Sequence, residues 1–94
     1  MILTEQNLLE ALEKEGFDHV FLWKDKPDTE YSEHSHKGKV SFYVTRGSVT
    51  FSGGIQQTVK EGERFDVPIN VTHSALVGPQ GCDWVVGEEI EGDS

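Results

Sequence analysis

Apolar and polar residues follow two different periods along this chain, and the change comes at Gly16. Before Gly16, three leucines recur at helical spacing: Leu8, Leu9 and Leu12. Thr4 precedes them and is a favourable N-cap residue, so the pattern predicts a helix over residues 4–15 that ends at Gly16. We expect the apolar face of this helix to pack on the outside of whatever follows.

From Phe17 onward the pattern changes to short runs of strand-forming residues separated by turn residues. The predicted strands are His19–Trp23, Tyr31–His36, Val40–Thr45, Ser48–Ser52, Ile55–Val59, Arg64–Val67, Val71–Val77 and Cys82–Val86. Val40, Phe42 and Val44 alternate with polar residues and therefore share one face. Gly53-Gly54 is a hairpin signal. About eight short strands after one helix predict an all-β fold, a small barrel or sandwich.

Length and charge limit the possibilities further. The 94 residues predict a single domain over 1–94, with a barrel over about 17–88 and an acidic tail over 88–94. With 17 acidic and 8 basic residues, the formal net charge of −9 makes nucleic acid and anionic membranes poor partners. No apolar run is long enough to span a bilayer, which needs about 18 residues.

The single cysteine, Cys82, has no partner for an internal disulfide. One unpaired cysteine suits a reducing compartment. The first residues also lack the basic start and apolar run of a signal peptide. We therefore expect a cytoplasmic protein.

Three histidines are the main candidates for chemistry. His34 and His36 stand two positions apart on a predicted strand, so their side chains point to the same face. His73, brought in from a later strand, would add a third imidazole. Three imidazole nitrogens on one face are a suitable donor set for a divalent metal.

Two stretches resemble the two motifs of the cupin superfamily. Glu33-His34-Ser35-His36 followed by Gly47 resembles the first motif, and Gly62, Pro68 and His73 resemble the second. The resemblance covers about residues 17–88 and implies a double-stranded β-helix, also called a jelly roll. It also implies that His34, His36 and His73 bind one divalent transition metal per chain, with iron, zinc, nickel, copper and manganese all open.

The chain departs from the family pattern at two positions. The glutamate ligand of the first motif aligns with Val40, which implies an open three-histidine site in a pocket lined by Val40, Phe42 and Cys82. Cys82 and His19 are the candidates to replace that ligand, although each is more commonly a structural residue. Asn70 stands where the family often has glycine, and asparagine tolerates the left-handed conformation that such a turn needs.

The resemblance leaves three functions open. One is a small non-haem metal enzyme similar to the three-histidine dioxygenases. The others are a small-molecule binding or sensor protein without turnover, and a structural metal barrel. The expected partner is a small-molecule ligand or substrate. Exposed sheet edges, together with analogy to small cupins, predict a homodimer.

Overall fold

The computed structural model describes residues 4–89, which form one helix and six strands. The elements are α1 (Glu5–Lys14), β1 (His19–Asp25), β2 (Glu30–His34), β3 (Val40–Gly53), β4 (Gln57–Lys60), β5 (Arg64–Val67) and β6 (His73–Glu88). All strand pairs are antiparallel, which confirms the predicted all-β fold with one short helix. Most of the predicted acidic tail, residues 90–94, lies outside the described residues.

Two long strands, β3 and β6, run through both halves of the barrel. In the helix-side half, residues 40–47 of β3 pair with 82–88 of β6, and β5 and β1 flank them. In the histidine-side half, residues 49–53 of β3 pair with 73–77 of β6, and β4 and β2 flank them. Each half therefore has the order outer strand, β6, β3, outer strand, and the core lies between the halves.

Our prediction of separate strands around Arg46-Gly47 and Gly78–Gly81 is wrong. The register of β3 against β6 shifts between Val44 and Arg46 and again between Gly47 and Val49, but the pairing continues. Gly47 and Gly81 both have positive φ, at 81° and 82°, as in β-bulges. The glycines therefore bend two continuous strands instead of reversing the chain, because a bulge changes strand direction without ending the ladder.

The main core fills the space between the two halves. Its buried members are Phe42, Val44, Val49, Phe51, Ile55, Val59, Val67, Ala75, Val77, Cys82, Trp84 and Val86. Phe42 and Val44 belong to this core, as their alternation predicts. Tyr43, on the opposite face of β3, packs instead on the cluster formed by the helix.

The helix packs on the outer face of the helix-side half. Leu8 and Leu12 bury their side chains against Val85 of β6, which confirms the predicted packing of the apolar face. The side chain of Thr4 caps the helix by accepting a hydrogen bond from the backbone N–H of Asn7 at 3.1 Å. Among residues 4–89, no helix combines the length and the apolar run that crossing a bilayer requires.

Candidate metal centre

Three histidine side chains converge where β2 ends and β6 begins. His34 is the last residue of β2 and lies opposite His73, the first residue of β6. His36 follows in the loop after β2, so this strand is shorter than the sequence predicts. The ring centroids are 4.6 Å apart for His34 and His73, 5.0 Å for His34 and His36 and 5.5 Å for His36 and His73. The potential ligand atoms all lie within 4.8 Å of one another.

Hydrogen bonds to the backbone set the orientation of two of these imidazoles. Nδ1 of His34 is 2.7 Å from the carbonyl oxygen of Ser32, and Nδ1 of His73 is 2.8 Å from that of Val71. Because a carbonyl oxygen only accepts, each Nδ1 carries the proton and donates it. The lone pair of Nε2 is then free, which is the arrangement found in metal-bound histidines. The donor set therefore fits a divalent metal.

The third histidine is positioned by its backbone. The carbonyl oxygen of His36 accepts a hydrogen bond from the N–H of Asn70 at 2.8 Å. Asn70 has φ 61°, which confirms that it takes the left-handed turn conformation. Burial, followed by the nearby His34 and His73, lowers the pKa of His36. A lower pKa favours the neutral imidazole, which is the form that binds a metal.

A cavity of about 300 Å³ opens beside the three histidines. Its lining is mainly apolar and aromatic: Phe21, Trp23, Tyr31, Val40, Phe42, Phe51, Val67, Ala75, Trp84 and Val86, with His34, His36, His73 and Glu88. Val40 and Phe42, which the sequence places in the pocket, are part of this lining. Cys82, which the sequence also places in the pocket, is not among the lining residues, and its side chain is fully buried in the core.

Glu88 is an acidic residue of this cavity that the sequence analysis assigned to the tail. It is the last residue of β6 and lies directly opposite Val40 of β3. Its carboxylate is 3.5 Å from Nδ1 of His19, and both side chains are partly exposed. The alternation of Trp84, Val86 and Glu88 along one strand face was the signal that could have placed it here.

A second carboxylate, that of Asp25, holds the aromatic side chains at the other end of the cavity. It accepts hydrogen bonds from Nε1 of Trp23 at 3.1 Å, from the hydroxyl of Tyr31 at 2.7 Å and from Nε1 of Trp84 at 3.1 Å. Burial and the bond to Asp25 raise the pKa of Tyr31 to about 12. The sequence around Asp25, with Pro27 two residues later, indicates a turn, and the bond to Trp84, 59 residues along the chain, leaves no local pattern.

Neither candidate for the missing ligand joins the histidine cluster. Among the described residues, the metal-ligand group holds only the three histidines. His19 is largely exposed and pairs with Glu88. Cys82 lies in the core opposite Gly47.

Cys82 is expected to be an unreactive thiol. Burial, followed by the nearby Asp25 and Asp83, raises its pKa to about 12, so the thiolate is scarce at neutral pH. Labelling with a chromogenic disulfide reagent at neutral pH should be slow in the folded protein and rapid in concentrated urea. Complete labelling of the folded protein within the mixing time would contradict the buried position.

Comparisons with known structures identify the fold. An RmlC-like cupin from Shewanella frigidimarina superposes with a TM-score of 0.61 at 23% identity, covering 79% of this chain and 69% of that one. A double-stranded β-helix protein from Klebsiella pneumoniae gives 0.66 at 23% identity, covering 80% and 69%. The polyketide cyclase RemF from Streptomyces resistomycificus gives 0.60 at 26% identity, covering 81% and 58%.

These likenesses show that the chain has the cupin fold, a double-stranded β-helix. No protein-family model and no curated protein matches the sequence. The fold expected from the two histidine motifs is therefore confirmed by structure, and this fold by itself does not define a function.

Proposed function

We propose that this protein binds one divalent transition metal through His34, His36 and His73 and holds a small molecule beside it. The observation that carries the proposal is the free Nε2 lone pair of His34 and His73, set by their bonds to backbone carbonyls. Their rings lie close to that of His36, whose lowered pKa favours the neutral form. Imidazole donors suit iron, zinc, nickel and copper, and manganese stays among the candidate metals.

The cavity favours a ligand with an apolar, planar body and a donor atom at one end. Its walls are formed largely by Phe21, Phe42, Phe51 and the two tryptophans. Aromatic side chains bind planar rings by offset or edge-to-face contact. A volume of about 300 Å³ suits a small molecule. The histidine end then meets an oxygen, nitrogen or sulfur atom of that ligand.

The bound metal would supply a Lewis acid, and iron(II) would add oxygen-dependent oxidation. Within this proposal, the protein's residues hold the metal, exclude water with apolar walls and orient the ligand. A dioxygenase-like reaction is our preferred chemistry, and binding without turnover or a purely structural metal are the alternatives. RemF, a protein of similar fold, is named a polyketide cyclase, which supports considering an enzymatic role. A homodimer and a cytoplasmic location stay predictions from the sequence.

Metal content is the first test. Untagged protein should contain about one transition metal ion per chain when measured by inductively coupled plasma mass spectrometry. The double variant His34→Ala/His36→Ala should contain none, because a single imidazole is left. Equal metal content in both proteins, or none in either after reconstitution, would refute the metal site.

The same samples test the pocket. Catechol, a planar ring with two oxygen donors, should quench the fluorescence of Trp23 and Trp84 in the metal-loaded protein and much less in the double variant. Quenching that is independent of metal would argue for a pocket that works without the ion. Oxygen uptake by iron-loaded protein with bound catechol would favour the enzyme, and binding without uptake would favour the sensor.

A further inference from the structure

We propose that Glu88 is the carboxylate ligand of the metal centre, supplied by β6 in place of the first-motif glutamate that Val40 has replaced. This inference rests on the proposed metal site. It differs from the sequence expectation, in which the three histidines stand without any anionic donor.

The position of Glu88 in the sheet is the first argument. Val40 pairs with Val67 on one side and with Glu88 on the other, and Glu88 pairs in turn with His19. Residues directly opposite each other in an antiparallel pair point to the same face. Val67, Val40 and Glu88 all line the cavity, and Glu88 is the acidic member of this row.

The reach of the side chain is the second argument. The Cβ atoms of directly opposed residues are about 5 Å apart. The Cβ atom of Glu88 on β6 is therefore one strand away from that of Val40 on β3, the position where the family pattern has a glutamate. Glu88 nevertheless lines the same cavity as His34, His36 and His73, so its carboxylate lies on the side of the sheet where the metal would bind. The negative charge of Glu88 already acts on His36, opposing the lowering of the pKa of His36.

The present partner of Glu88 does not hold it firmly. The distance to Nδ1 of His19 is 3.5 Å, and the two side chains are 37% and 55% exposed. A contact of this length between two exposed side chains contributes little to stability. The carboxylate can therefore leave His19 for a divalent cation, which attracts it more strongly.

The chemical consequence concerns charge. Three neutral imidazoles leave a divalent ion with its full charge, whereas one carboxylate neutralises half of it. An anionic oxygen added to nitrogen donors also strengthens the binding of harder divalent ions such as manganese and iron. The site would then have three nitrogen donors and one oxygen donor, with the oxygen on a different strand from the one the family pattern uses.

The test compares two neighbouring glutamates. We would titrate cobalt(II) into wild type, Glu88→Gln and Glu89→Gln, and record affinity and the visible d–d spectrum. Glu89 is the matched control because it lies outside this cavity and bonds to the backbone N–H of Lys39, a bond that glutamine can keep. We expect Glu88→Gln to weaken binding by about tenfold to a hundredfold and to change the spectrum, and Glu89→Gln to change neither.

A rescue variant makes the result specific. Adding Val40→Glu to Glu88→Gln returns a carboxylate to the neighbouring strand, so affinity should recover at least in part. If wild type binds cobalt and Glu88→Gln binds it equally with the same spectrum, the role of Glu88 is overturned while the three-histidine site stands. If wild type binds no cobalt, the proposed function itself fails.

Discussion

Replacing Gly47 with alanine is expected to lower the free energy of unfolding by about 3 kcal/mol or more. Gly47 has φ 81°, which costs a side-chain-bearing residue energy. A Cβ atom there would stand 1.9 Å from the carbonyl oxygen of Gly81 and 3.2 Å from Cα of Cys82. These are backbone atoms of β6, so the two long strands would have to separate at the bulge. Domains are typically stable by about 5–15 kcal/mol, so the loss is large.

Gly62 provides the matched control. Its φ is 87°, but nothing lies within 4 Å of a Cβ atom at that position. Gly62→Ala should therefore cost only the conformational strain, about 1 kcal/mol. Urea unfolding followed by tryptophan fluorescence measures both variants. Equal losses at the two glycines would show that the contact with Gly81 does not matter.

Replacing Asp25 with alanine is expected to destabilise the protein by about 2 kcal/mol or more, since hydrogen bonds to a charged group are strong. The change removes the acceptor of Tyr31 and Trp84 and one of the two acceptors of Trp23, which keeps its bond to the Tyr31 hydroxyl. The indole N–H of Trp84 is partly buried, so it loses its partner with little access to water. The pKa of Tyr31 should also fall from about 12, because the bond to Asp25 contributes to raising it.

Unfolding in urea and an absorbance titration of tyrosinate measure the two effects. Glu33→Ala is the control, because Glu33 is an exposed carboxylate on β2 outside the cavity lining. Its effect should stay within about 0.5 kcal/mol. If Asp25→Ala were as mild as Glu33→Ala, the hydrogen bonds at this end of the cavity would be dispensable.

The three histidines could be predicted from the sequence because each belongs to a local sequence pattern. His34 and His36 stand two positions apart, and His73 follows Gly62 and Pro68 at a spacing that resembles a known motif. Their convergence depends on the pairing of His34 with His73, which no local pattern contains. The resemblance supplied that information, because motifs of a shared fold encode its pairing.

The roles of the two cavity carboxylates, those of Asp25 and Glu88, were harder to predict from the sequence. Asp25 lies between two lysines and two residues before Pro27, so the local composition indicates a turn, while one of its hydrogen bonds reaches Trp84 across the sheet. Glu88 is followed by Glu89, Glu91 and Asp93 in the sequence, which indicates a solvated tail. Both roles follow from strand register, and register is fixed by pairing between distant segments.

The prediction of about eight strands was wrong for a different reason. A glycine with positive φ can end a strand in a turn or bend it through a bulge, and the sequence is the same in both cases. At Gly47 the backbone of Gly81 on β6 lies so close that the strand continues through a bulge and does not end in a turn. The sequence therefore predicted the strand residues well and their continuity poorly.

The sharing of β3 and β6 between both halves also bears on how the chain acquires its structure during synthesis. β6 pairs with β1, β2 and β3, and among the described residues it follows all the other strands. Neither half can be completed on the ribosome until residues 73–88 have left the exit tunnel. Before that point, β1 and β2 lack their neighbour and expose apolar side chains, a state that favours aggregation. Pairing over such long separations also slows folding. The histidine cluster, which needs His73, consequently forms only after β6 has been synthesised and cannot guide the earlier steps.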